Sequence, residues 1–267
     1  MSLSWRDQLT AFVAPGSVRV AVASRGWWPR RRVTTAQPAA GAQGTPENAG
    51  ELAGMGLQLG DALRAHAGRA FDIGVVLSNH FVRYAVVDNA SQLRGAAERA
   101  IAGSQALRAV HGSAVDEWQV VMDDDAMDGA LVAGVPRALV DALHGACRLA
   151  GAHRISIEPL LARSLNDARA QIGSATGWLG VMENGRLVLA SIGAQSVTAV
   201  RSQRLLQDPA TEVAALVQRT RLLDGMPATR SILLLASDQP LLVGFPPESG
   251  LQLRTMPLRC MPAPEVA

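Results

Sequence analysis

Residues 178–191, WLGVMENGRLVLAS, hold two short apolar runs, Trp178–Met182 and Arg186–Ser191, joined through Glu183-Asn184-Gly185. Asn followed by Gly supplies both positive-φ residues of a tight turn whose twist matches the flanking strands, so this is the strongest hairpin signal in the chain. Working forward, Ser196–Arg201 supplies a third strand, Asp208-Pro209 introduces a helix to about Leu223, and Ser231–Ala236 (SILLLA) reads as a buried strand. The same order stands earlier. Ser17–Ala23 (SVRVAVA) alternates at its start, and Arg32–Thr35 (RVTT) returns after a turn around Gly26 and Pro29. A helix and the apolar strand Ile73–Leu77 (IGVVL) then follow. The repeat is one of pattern and not of residue identity.

Between the repeats the periodicity changes element by element. Residues 36–46 are a loop rich in Ala, Pro, Gly and Gln, ending where Thr45 can cap a helix and Pro46 can occupy its first turn. Leu52, Met55, Leu59 and Leu63 then form one apolar stripe of a helix reaching about His66. A small α+β unit follows, with a strand at Phe81–Val87, a helix from about Gln92 to Val110, and strands at Trp118–Met122 and Ala130–Val135. Pro136 opens another helix, striped by Leu139, Leu143, Ala146 and Leu149, with Gly151 as its left-handed stop. A strand at Arg154–Ile157 and a helix from about Pro159 to Ile172 complete the first half. After Gln239 come six prolines, at 240, 246, 247, 257, 262 and 264, which predict a tail that packs loosely or not at all.

Composition removes several chemistries. All 25 basic residues among the 267 are arginine, so a Walker lysine, a pyridoxal Schiff base and a lysine nucleophile are impossible. An apolar fraction of 48% with 18% charged residues supports a buried core, and a net charge of +2 does not demand nucleic acid. The N-terminal ten residues lack the apolar run of a secretory signal, and no apolar stretch is long enough to span a bilayer. Cys147 and Cys260 match no metal spacing and read as free thiols of a reducing cytoplasm. The histidines at 66, 80, 111, 144 and 153 form no His-x-x-x-His pair. Asp123, Asp124, Asp125 and Asp128 read as a solvated turn, lacking the glycine and glutamate positions of a calcium loop. Ser24, Ser78 and Ser164 lack a Gly-x-Ser-x-Gly setting.

Three segments carry a resemblance: residues 76–87 (VLSNHFVRYAVV), residues 132–136 (VAGVP) leading into a helix that ends at 148–151 (RLAG), and residues 155–159 (ISIEP). Over roughly residues 15–236 the chain resembles PilM-like pilus assembly proteins, including the MshI type, and the cytoplasmic part of GspL-type secretion proteins. The resemblance implies an α/β fold of the actin-like ATPase (ribonuclease H-like) class with two related subdomains. The first would cover 1–172, with a small α+β insertion at about 80–135. The second, truncated, would cover 173–238, followed by a Pro-rich C-terminal tail at 239–267.

The resemblance also implies a cytoplasmic scaffold, peripheral to the inner membrane, in a type IV pilus biogenesis or type II secretion-like machine. Its partner would be an inner-membrane platform protein whose short cytoplasmic N-terminal tail lies between the insertion and the body of the first half. Actin-like nucleotide sites use an Asp-x-Gly turn in the first hairpin of each half, to hold phosphates and magnesium. Here the hairpin after Ala23 reads SRGWWP over 24–29 with no acid, and the second keeps Glu183 and Gly185 in a turn with little room for phosphate. Asp72-Ile73-Gly74 spells the motif but sits at a strand entry. The expectation is a chain with no enzymatic activity, cofactor or metal. Two alternatives stay open: an actin-like ATPase binding Mg-ATP through atypical turns, and an unrelated α/β interaction domain.

One local constellation suits a contact surface. Arg25, Trp27, Trp28, Arg30, Arg31 and Arg32 place two large aromatics among guanidinium groups, a mixture that fits anionic lipid headgroups, an acidic partner segment or RNA. The bland alternative is a hairpin whose tryptophans cover a sheet edge. Each arginine near an anionic surface contributes about 1 kcal/mol, screened by salt. Replacing Trp27 and Trp28 with serine is expected to reduce co-sedimentation with anionic vesicles at nearly unchanged melting temperature; a large fall in melting temperature would make the tryptophans core residues instead.

Overall fold

In the computed structural model the described residues are 7–23, 31–36, 49–66, 70–124, 128–172, 176–183, 185–193, 196–205, 209–224, 231–236 and 252–258. They fall into two units, one built from residues up to 82 with 135–163, the other from 83–134 with 164–258. The loop and helix cap expected over 37–48, the first six residues, Asp125 and Cys260 lie outside the described residues.

The first unit is organised by a strand that the sequence reading passed over. β1 (Asp7–Ala14) is antiparallel to β2 (Ser17–Ala23), which is antiparallel to β3 (Arg31–Ala36). On its other side β1 is parallel to β4 (Phe71–Leu77), and β4 is parallel to β8 (Ala152–Pro159), giving the order β3-β2-β1-β4-β8. Leu9, Ala11 and Val13 are buried on one face of β1 and Phe12 on the other, because a strand in mid-sheet is covered on both sides. That double burial hides the period of two. The first hairpin is therefore β1 to β2, closed by Pro15-Gly16 with Ala14 opposite Ser17, and not the 24–29 stretch, which links β2 to β3. Proline presets the first turn position and Gly16 supplies φ 71° at the second.

Helix α1 (Ala49–Leu63) crosses from β3 to β4 and packs on α3 (Arg137–Leu149). Its predicted stripe of Leu52, Met55, Leu59 and Leu63 is buried, as are Leu139, Leu143 and Ala146 of α3. Leu149 corrects the predicted stripe: it is 92% exposed. At 100° per residue it stands about 80° round the helix from Leu139, off the packed face. Gly151 stops the helix at φ 93° as expected.

The second unit repeats the sheet. β9 (Gly177–Glu183), β10 (Arg186–Ile192) and β11 (Val197–Arg204) are antiparallel, helix α5 (Pro209–Asp224) follows, and β12 (Ser231–Ala236) returns parallel to β9. Trp178, Leu187, Leu189, Ile232 and Leu234 pack with Val213, Leu216 and Val217 of α5. The expectation that the sheet stops at Ala236 before a loose tail is corrected. β13 (Gln252–Pro257) pairs in parallel with β12 over six residues, completing the order β11-β10-β9-β12-β13. Proline density concealed this strand, but Pro257 sits at its end, where a missing N–H costs no ladder bond.

The insertion forms a three-stranded sheet, β5 (Arg83–Val87), β7 (Ala130–Pro136) and β6 (Trp118–Met122) in that order, with α2 (Ala96–His111) on one face. Leu107, Val115, Met122 and Val132 form its core. A Cβ on Gly134 would lie 2.7 Å from the Trp118 ring and 2.8 Å from Leu107, so both side chains use the space that a side chain at 134 would fill. Although it interrupts the first repeat in sequence, the insertion groups with the second sheet: β5 runs beside β11, and Gly129 abuts the Val197 carbonyl. Arg99 donates to the carbonyls of Asp123 and Asp124 at 3.2 and 3.0 Å.

Two consequences can be measured. A Cβ on Gly56 would lie 2.8 Å from the backbone oxygen of Ala142, whereas one on Gly54 meets nothing within 4 Å. Gly54→Ala is expected to stabilise by about 0.5–1 kcal/mol through helix propensity, and Gly56→Ala to destabilise by about 1–3 kcal/mol by forcing α1 from α3, as read by denaturant unfolding. His111 sits tilted against Trp118, ring centroids 5.3 Å apart, and burial first, then the charge of Arg83, lowers its pKa from 6.5. A depressed folded pKa gives stability that is present above the unfolded value and lost as pH falls through the folded one. Melting temperature is thus expected to drop between pH 7.5 and 5 by more in the native chain than in His111→Gln.

Candidate functional site

Both five-stranded sheets open with a tight hairpin that has a glycine of positive φ just before its second strand, Gly16 at φ 71° and Gly185 at φ 73°. These are the two positions at which the resemblance places phosphate turns. The first, Ala14 to Ser17, carries no acid. The second keeps Glu183, only 4% exposed. Asp72 and Gly74 lie inside β4, paired with Gln8 and Thr10 on one side and Arg154 and Ser156 on the other. The Asp72 carboxylate stands 3.7 Å from His153. That segment is sheet, with no turn for a phosphate to enter.

The neighbourhood of the second turn is set by register. Directly paired residues share a face, and the ladder places Glu183 opposite Arg186 and Arg186 opposite Arg204. Two residues along lie Val188 and its partner Ser202, on that same face, while Leu187 and Leu189 point to the α5 side. Arg186 is half-buried, its Nη1 donates to Ser202 Oγ at 3.2 Å, and its buried Nε has no partner among the described residues. Burial lowers the Arg186 pKa; so do the charges of Arg83 and Arg204, with Glu183 opposing them. Arg83 opens β5 opposite Gly134, and it is the same side chain that depresses His111. The charges of Arg83, Glu183 and Arg204, from β5, β9 and β11, thus all act on Arg186.

Sequence reasoning missed this group because its members stand at 83, 183, 186 and 204, with no local motif. One signal was present: an Asn-Gly turn fixes the pairing of Glu183 with Arg186. Of the residues singled out by sequence, Arg25, Trp27, Trp28 and Arg30 lie outside the described residues. Arg31 and Arg32 begin β3, an edge strand, with backbones opposite Ala23 and Val22.

The remaining candidates have structural settings. Ser78 donates its N–H to the Val13 carbonyl at 2.9 Å and its Oγ accepts from the His80 N–H at 3.2 Å, building the turn that follows β4. Ser164 is buried, and among the described residues no His, Cys, Asp or Glu come together in threes. Burial pushes the Cys147 thiol up to about 12, so it is protonated and inert at neutral pH.

Neither a family model nor a curated relative matches the sequence. Solved structures do. A Bacteroides thetaiotaomicron protein with actin-like ATPase fold and unknown function aligns over 95% of this chain and 91% of its own, with TM-score 0.62 and 7% identity. A chain of a PilM-PilN type IV pilus biogenesis complex aligns over 94% and 88%, with TM-score 0.64 and 13% identity. The cytoplasmic domain of EpsL, an inner membrane component of the type II secretion system of Vibrio cholerae, aligns over 94% and 89%, with TM-score 0.55 and 11% identity. The two sheets of one strand order, each begun by an antiparallel hairpin and completed by parallel strands, are the two halves of an actin-like ATPase fold, and this chain has that fold.

Proposed function

We propose that the chain is a non-hydrolysing scaffold of a type IV pilus biogenesis or type II secretion-like machine, held at the cytoplasmic face of the inner membrane by a membrane-anchored partner. One observation carries the reading: a fold also seen in a PilM-PilN complex and in the EpsL cytoplasmic domain extends over 94% of a chain whose first hairpin is closed without an acid. Magnesium bound to a nucleotide needs carboxylate oxygens to offset its charge and fix its geometry. Ala14 to Ser17 offers none. No helix among the described residues is long and apolar enough to cross a membrane, which fits attachment through a partner. Short tails of such partners bind by backbone hydrogen bonds and a few apolar anchors. The basic-aromatic stretch from Arg25 to Arg32 would add a weak contact with the membrane surface.

The buried Glu183 at the second hairpin favours the one competing reading, an ATP-binding protein with atypical turns. Calorimetry separates the two. Titration with Mg-ATP is expected to give no saturable heat tighter than about 100 μM, equivalent to about 5.5 kcal/mol, and tighter binding would replace the scaffold with the ATPase reading. The docking half is checked first in the neighbouring genes, one of which is expected to encode a single-span membrane protein with a short cytoplasmic N-terminus, and then with that N-terminus as a peptide. Micromolar binding is expected, and absence of binding at millimolar peptide would sink it.

A further inference from the structure

We infer that β6, the outer strand of the insertion, accepts an extended peptide as a fourth strand of its sheet, the peptide being basic at both ends and uncharged between them. The order β5-β7-β6 leaves no further strand beyond β6 among the described residues. Along an antiparallel strand the backbone groups of successive residues turn alternately to one neighbour and to the other. The Asp123 N–H donates to the Leu131 carbonyl of β7 at 2.9 Å, so the groups of Val121 and Gln119 turn to β7 as well. Val120 and Met122 therefore turn their N–H and C=O groups to the outer edge. Trp118 gives its N–H to the Val115 carbonyl of the preceding turn, which bounds the open stretch at that end.

The strand lacks the devices that close an edge. From Trp118 to Met122 it reads WQVVM, with no charge, proline or glycine, and its valines and tryptophan favour extended backbone. Met122 and Val120 hold it to the core of the insertion on the α2 side, while Val121 on the opposite face is 59% exposed. A strand laid along β6 would pair the outer backbone groups and cover that valine.

Charge selects the occupant. Residues 112–136 contain Asp116, Glu117, Asp123, Asp124, Asp125 and Asp128 and not one basic residue. Two acids thus stand at each end of β6, and all four are exposed. Arginines of α2 reach both ends, Arg108 pairing with Asp116 and Arg99 standing 3.5 Å from Asp124. These are surface pairs in which the acids stay hydrated, so the selection rests on the sign of the field along the edge and not on any carboxylate lacking a partner. A second copy of this chain fits poorly, because antiparallel pairing about Val120 would set Glu117 against Asp123 and Asp116 against Asp124. A peptide with basic residues at those positions gains from every such apposition. Main-chain bonds would supply the affinity and charge the choice. The site lies within the insertion alone, so it does not rest on the scaffold reading, and either can fail without the other.

The test uses the full chain and a capped synthetic peptide of about nine residues, with paired arginines at each end of an alternating valine and threonine centre. Calorimetry is expected to show saturable binding with Kd of about 10–100 μM at low salt, weakening as salt is added. Methylating the peptide nitrogens that would face β6 removes main-chain bonds without touching the protein, and should weaken binding about tenfold. Amide hydrogen exchange at Val120 and Met122 should slow when the peptide is bound, while exchange at Val121, turned to β7, stays as it was. Glu117→Gln combined with Asp124→Asn should weaken binding about fivefold, and Asp141→Asn, at an exposed position of α3, should leave it unchanged. The inference is overturned if binding does not saturate below about 1 mM, the behaviour of an edge whose acids merely guard it. It is equally overturned if the methylated peptide binds as well as the parent, if Val120 and Met122 exchange at the same rate with and without peptide, or if a peptide with glutamates at its ends binds equally. Dimerisation of the chain that Val121→Glu abolishes would give the edge to a second copy and refute the choice of occupant.

Discussion

The parallel pairing of β1 with β4, from Asp7 opposite Phe71 to Val13 opposite Leu77, is the constraint on which the first unit depends. Among the described residues, β1 joins the β2–β3 hairpin to the parallel strands β4 and β8 in that sheet. A buried backbone group left unpaired costs about 1–3 kcal/mol, so the central strand must satisfy both of its edges at once. It does so with Leu9, Ala11 and Val13 buried on one face and Phe12 on the other, and it leaves the N–H of Ser78 to finish the ladder at the Val13 carbonyl. β9 holds the same position in the second sheet, paired with β10 on one side and β12 on the other.

Close approach follows from the same economy of side-chain volume. Gly56 lets α1 reach the Ala142 carbonyl of α3, Gly134 lies under Trp118, and a Cβ on Gly180 would stand 2.6 Å from Leu234. Each glycine trades helix or strand propensity for contact between backbone and a neighbour.

A chain whose cations are all arginine has charges that cannot be neutralised by losing a proton near pH 7. Where such groups converge, the protein must pair them or expose them. Arg99 is spent on carbonyls of the Asp123–Asp124 turn and Arg163 on Glu158 at 3.1 Å, whereas Arg186 faces two of its own kind. The same guanidinium field reaches His111, which ties the protonation of the insertion to charge placed at the start of β5.

The sequence by itself determined the elements whose periodicity is one-sided. The α1 stripe at Leu52, Met55, Leu59 and Leu63, the Asn184-Gly185 hairpin, the Gly151 helix stop and the insertion's strands and helix were all legible, since each is written in neighbouring residues. The repeat that points to an actin-like fold was legible for the same reason. Tertiary structure decided what no local window contains. β1 escaped notice because burial on both faces erases alternation, and β13 because its residues become a strand only through the edge that β12 offers. Leu149 left its stripe because helix geometry turned it away from the packed side. The group at Arg83, Glu183, Arg186 and Arg204 came last, for it exists only when three strands from distant parts of the chain are set in register, and register is a property of the sheet.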